Sequence, residues 1–136
     1  MQHATVISHA RFDASPTTSC GIRLRRARIS SIGDRAPGPD GEVYHASKAA
    51  VRPLSASLQK GEAANNVRVI NIAPGFVRTC IHVDMGISFE AYCKQLGNPD
   101  FISAEELADS ILFCWKLPQR ICIRDIVVMP TTSSFA

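Results

Sequence analysis

The chain has 136 residues, 46% of them apolar and 20% charged, with a formal net charge of +3. That is enough for one globular domain with a core, too little for two, and too balanced in charge for a disordered chain. No apolar run approaches the ~18 residues of a membrane span, and no charged-then-apolar leader follows Met1, so a cytoplasmic, non-membrane protein is expected.

The five cysteines and four histidines show no metal-ligand spacing, and no Cys-x-x-Cys pair occurs. Reduced thiols and no metal are expected. Arg23, Arg25, Arg26 and Arg28 crowd together, but no aromatic residues interleave with them and no nucleic-acid-binding motif surrounds them. A solvated segment is expected there rather than a nucleic-acid contact.

Residues 1–28 carry no helical or strand periodicity, and Ser15-Pro16-Thr17-Thr18-Ser19 reads as loop. A turn-rich stretch follows, from Gly33 to Gly41. A helix over 42–59 is predicted from Ala46, Ala49, Ala50, Leu54 and Leu58 at three- and four-residue steps. Pro53 falls inside it, where it removes one backbone bond and costs ~3 kcal/mol or a kink. Val67-Arg68-Val69-Ile70-Asn71-Ile72 reads as a strand closed by Pro74-Gly75, and residues 88–96 as a short helix. Ser103-Ala104-Glu105-Glu106 is a capping box, opening a helix with Leu107, Ile111 and Trp115 along one stripe. Asp125-Ile126-Val127-Val128-Met129 is a final strand. Strands alternating with helices predict an α/β fold with a parallel sheet.

The chemistry concentrates in Tyr44 and Lys48, four residues apart at the start of a helix and so on one face. A free tyrosine, with a pKa near 10, is a poor acid or base at neutrality. An ammonium beside it favours the phenolate and draws that value toward the working range. Tyr44 could then protonate a carbonyl, or take the proton from an alcohol.

Ile29-Ser30-Ser31-Ile32-Gly33, the thirteen-residue step from Ser31 to Tyr44, and Tyr44-His45-Ala46-Ser47-Lys48 opening an alanine-rich helix resemble the active site of the short-chain dehydrogenase/reductase family. Asn71-Ile72-Ala73-Pro74-Gly75-Phe76-Val77-Arg78-Thr79 is similar to that family's Pro-Gly segment. The resemblance implies a Rossmann-like, doubly wound parallel sheet and NAD(P)-dependent hydride transfer between a small alcohol and its carbonyl. It implies Ser31, Tyr44 and Lys48 as catalytic residues, with Ser31 holding the substrate oxygen and Lys48 also bonding the cofactor ribose. Pro74, Gly75 and Val77 would face the nicotinamide, and Thr79 the phosphates. The ending, from Leu117 to Thr131, resembles a branch acting on 3-hydroxy acids and serine-like substrates, which leans the cofactor toward NADP over NAD. Homo-oligomers are the family's habit.

The resemblance covers about residues 29–135 and stops abruptly upstream. Family members carry an apolar strand into the serine, where this chain has Arg26 and Arg28, and a charge in a strand covered on both faces is costly unless paired. The family's Gly-rich turn and its Asn-Asn-Ala-Gly strand are also missing. The expectation is an incomplete domain lacking its N-terminal half: residues 1–28 do not match, and 29–136 are the catalytic part. A truncated or misread frame and an unusual splice form both stand as accounts. The alternative to an enzyme is a non-catalytic remnant or assembly partner that binds the dinucleotide weakly.

Overall fold

The computed structural model describes residues 25–39 and 41–133. What was expected of residues 1–24 lies outside them. Three parallel strands form the sheet in the order β1 (Arg25–Ile29), β2 (Arg68–Pro74), β3 (Asp125–Val128). Between them run a 3-10 turn (Ile32–Asp34) and four helices: α1 (Glu42–Gly61), α2 (Ile81–Asp84), α3 (Phe89–Gln95) and α4 (Ala104–Lys116).

β2 is central, and every one of its residues is buried, the polar Arg68 and Asn71 included, as in a strand covered on both faces. α4 lays Leu107, Ile111 and Cys114 over Ile70 and Ile72, with Ala27 and Ile126 from the flanking strands. The capping box that opens α4 is complete: Ser103 accepts from the Glu106 amide, and the Glu106 carboxylate accepts from the Ser103 amide. On the opposite face, Asn71 donates to Asp125, and Arg52 of α1 comes within 3.8 Å of the same carboxylate. Gln59 of α1 donates to the carbonyls of Val69 and Arg124. Helices therefore cover both faces, giving the doubly wound parallel sheet expected from the sequence. Both crossovers step the same way across the sheet but pass on opposite faces. They have opposite hands, so one of the two departs from the usual right-handed rule.

Two expectations need correction. The boundary between residues 28 and 29 falls inside β1, because Arg25 to Arg28 pair with β2 from Arg68 to Asn71. Part of the charge is accommodated by geometry: the Arg25 guanidinium lies over the Trp115 ring, 5.4 Å from its centroid, and Arg26 is exposed, whereas the Arg28 Nε is buried with no hydrogen-bond partner among the described residues. α1 runs unbroken through Pro53 to Gly61, two residues beyond the expected end. Pro53 and Ala49 are both exposed, so water can take the carbonyl that the missing N–H leaves free.

Sequence reading gave Arg68 no role beyond its place in a strand. It is 3% exposed and donates to the carbonyls of Trp115 (2.8 Å), Leu117 (3.0 Å), Pro118 (3.4 Å) and Ile121 (3.0 Å). These are orphan acceptors at and beyond the C-terminus of α4, the negative end of its dipole.

Candidate active site

The C-terminal ends of all three strands lie at one edge of the parallel sheet, where open α/β sheets bind ligands. After β1 come Ser30 and Ser31, both buried. Ser30 extends the ladder through its amide to Ile72 O (2.8 Å); its hydroxyl donates to the same carbonyl and accepts from Asn71. Ser31, in extended backbone, caps the 3-10 turn by accepting from the Gly33 amide at 3.2 Å.

An ionic cluster holds that turn. Arg35 grips Asp34, whose side chain is wholly buried, and reaches Asp125 through both terminal nitrogens, at 3.0 and 3.1 Å. Burial alone would raise the Asp125 carboxyl. Hydrogen bonds from Arg35 and Asn71 and the charges of Arg35 and Arg52 outweigh it and hold the group below its usual range.

α1 brings Tyr44 and Lys48 to the same edge on a common face. The Lys48 ammonium stands 5.8 Å from the Tyr44 ring centroid and donates a long 3.4 Å hydrogen bond to Ile29 O at the end of β1. Burial pushes the Lys48 ammonium below the ordinary lysine value. Tyr44 is 44% exposed.

His45 was not singled out as a site residue, yet it locks the approach. Its ring meets Tyr44 edge-on at 5.5 Å, and its Nε2 accepts from the Gly38 amide at 3.2 Å. Gly33 and Gly41 flank the ring so closely that a Cβ at either would run into it. Both glycines are explained by this approach rather than by unusual backbone angles.

Pro74 ends β2 opposite Val128, and the Gly75 amide donates to Val128 O at 2.8 Å. A Cβ on Gly75 would meet the Met129 side chain at 3.1 Å. Val77 pairs with Ile102, and the exposed Thr79 accepts from the Ile81 amide through its hydroxyl. The site thus brings Lys48 close to Tyr44, while Pro74, Gly75, Val77 and Thr79 lead away along the neighbouring strand end.

A set of rings covers the same region: Phe76, Phe89, Tyr92 and Phe101 with His82, at centroid separations from 5.4 to 6.5 Å. Burial first, then the charges of Tyr44 and Cys93, pushes the Tyr92 phenol up. The signal available in the sequence was the concentration of aromatic residues between positions 76 and 101.

Comparison with known proteins agrees with this geometry. The short chain dehydrogenase family matches residues 27–86. A probable NADP-dependent dehydrogenase of Haemophilus influenzae is 32% identical over 79% of this chain and 44% of its own length. An NADP-dependent 3-hydroxy acid dehydrogenase of Salmonella typhi is 31% identical over 85% of this chain and 48% of its own. Among solved structures, the closed form of a serine dehydrogenase complexed with NADP+ superposes with a TM-score of 0.74 at 29% identity. That match covers 82% of this chain and 46% of that one. The chain spans about half the length of the curated relatives it matches. With its parallel sheet and its helices on both faces, the chain is similar to the C-terminal part of short-chain dehydrogenases and carries part of their Rossmann-like fold.

Proposed function

We propose that this chain carries the proton-transfer machinery of an NADP-dependent oxidoreductase acting on a small alcohol or its carbonyl, a 3-hydroxy acid being the favoured class. The observation that carries the reading is the Lys48 ammonium held beside the Tyr44 ring at the strand-end edge, on the helix that follows Ser31. Tyr44 is the acid and base: it gives its phenolic proton to a substrate carbonyl oxygen, or takes one from an alcohol. Lys48 favours the phenolate by its charge, and Ser31 holds the substrate oxygen against Tyr44.

The donors present suit the nicotinamide side of a dinucleotide. Lys48 would bond the ribose, Thr79 the phosphates, and Pro74, Gly75 and Val77 would face the ring, with the Met129 side chain packed against Gly75. When bound, the dinucleotide supplies or accepts the hydride. NADP is preferred to NAD on the names of the relatives. No glycine-rich turn lies among the described residues to receive the pyrophosphate.

The test joins the dinucleotide-binding half of a relative to this chain ahead of Arg25. Tyr44→Phe then removes most hydride transfer and leaves NADP binding intact, whereas Lys48→Ala harms both. Near-normal turnover by the Tyr44→Phe protein would overturn the assignment.

A second reading, a non-catalytic assembly partner, draws support from apolar side chains left in the open on two helices. Val43 (77%) and Leu54 lie on α1, and Leu112 and Phe113 (60%) on α4. Patches of that kind favour association. Sedimentation of the chain separates this reading from a lone monomer.

A further inference from the structure

Beyond the Tyr44–Lys48 edge, a cleft of about 360 Å³ opens between Phe76, the turn from Leu96 to Asp100, and Thr132–Ser133. Its size falls in the range of small-molecule sites.

The cleft's polarity is one-sided. The Leu96, Gly97 and Asn98 amides turn back onto α3, donating to the carbonyls of Tyr92, Lys94 and Cys93. Gly97 and Asn98 adopt the left-handed conformation (φ 77° and 53°) that this helix end demands. Pro99 has no N–H. The Phe101 amide beside the cleft donates to Asp100 itself, and the Ser133 amide to Pro130 O. The amides of Leu96, Gly97, Asn98 and Ser133 are therefore spent within the fold.

What remains is acceptor-rich. Asp100 takes one bond from the Phe101 amide at 2.9 Å and one from the Thr132 hydroxyl at 3.3 Å. A carboxylate has about four acceptor sites, so capacity is left over. Among the described residues no lysine or arginine lines the cleft, while Phe76, Leu96 and Pro99 offer apolar surface. An anion would meet the Asp100 carboxylate with no cation to offset it. A divalent metal would find one carboxylate, and among the described residues no three His, Cys, Asp or Glu side chains gather to hold a metal.

We propose that this cleft binds a small organic cation, a primary ammonium on a short apolar stem, with Asp100 as its counter-charge. The inference does not depend on hydride transfer, since the cleft can be filled whether or not a dinucleotide is bound.

The test titrates the full chain with n-butylammonium, 1-butanol and butyrate, following backbone amide NMR shifts. Saturable shifts at Gly97, Asn98, Asp100, Thr132 and Ser133 are expected with the ammonium at the lowest concentrations. The alcohol should bind more weakly and butyrate not at all. Asp100→Asn should weaken the ammonium about fivefold, as for loss of one partly exposed ion pair, and leave the alcohol unchanged. Butanol or butyrate binding as tightly as the ammonium overturns the proposal. So do shifts scattered over other acidic residues, no saturation, or an unaltered Asp100→Asn protein. If that variant does not fold, the charge series on the unaltered chain decides alone.

Discussion

Replacing Arg68 by methionine probes the connection between β2 and α4 most directly. The guanidinium is 3% exposed and makes three short hydrogen bonds, to Trp115 O, Leu117 O and Ile121 O, with a longer one to Pro118 O. Charge-assisted bonds contribute ~1.5–3 kcal/mol each when removed singly, but these share one donor group and do not add. Methionine keeps the apolar stem and removes the cost of burying a charge, which offsets part of the loss. The carbonyls it abandons lose the donor that now caps them. The net loss is therefore ~3 kcal/mol, set mainly by orphaned acceptors and the uncompensated dipole end. Lysine keeps the charge but lacks the planar fork that spans acceptors on either side of Pro118, so Arg68→Lys should lose ~1–2 kcal/mol. Urea unfolding followed by circular dichroism measures both, provided the slopes stay equal. Hydrogen exchange should rise selectively in residues 117–123. An Arg68→Met protein within ~0.5 kcal/mol of the unaltered chain would refute the reasoning, because that is the spread of ordinary surface changes.

Gly33→Ala drives a Cβ into the His45 ring, with Cε1 at 2.8 Å, and should destabilise by ~1–3 kcal/mol as overpacking does. In a His45→Ala background most of that cost should vanish in a double-mutant cycle read by chemical unfolding, and additive losses would show that the ring is not the obstacle. Lys48 gives a pH-dependent signature. Its folded value is lowered by burial, so between that value and ~10.4 the unfolded chain binds more protons at this site and stability rises with pH. The buried charge is thus a cost at neutrality: Lys48→Met should melt higher at pH 7, with the gap closing as pH climbs toward ~10.4. A gap that widens with pH, or none at pH 7, contradicts this.

The elements legible in the sequence were those whose signal is local. β2 is rich in valine and isoleucine and ends at Pro74, α4 opens on Ser103 and Glu106, and Tyr44 and Lys48 share a face because a helix repeats every 3.6 residues. β1 was hidden because Arg25, Arg26 and Arg28 carry no apolar alternation. Its pairing is decided by contacts with β2, forty-three positions away in register. Arg68 was unreadable for a similar reason: its acceptors lie 47 to 53 residues downstream. His45 matters only through two glycines and an amide brought round by the 33–41 turn.

The two adjacent serines separate structural from chemical duty. The Ser30 hydroxyl spends its single proton on Ile72 O and accepts from Asn71, which is in turn tied to Asp125, and Asp125 is gripped by Arg35. That hydroxyl belongs to the frame. Ser31 uses its oxygen once, to cap the turn, and its O–H donates to none of the described residues. A hydroxyl has one donor and two acceptor sites, so Ser31 can still give a hydrogen bond to an oxygen arriving at the strand edge. Lys48 stands similarly: of its three donors one makes a 3.4 Å bond to Ile29 O, long enough to be exchanged for a better partner. Saturated groups hold the edge rigid, and groups with spare donors stand at its mouth. That division supports Ser31 rather than Ser30 as the residue that meets substrate.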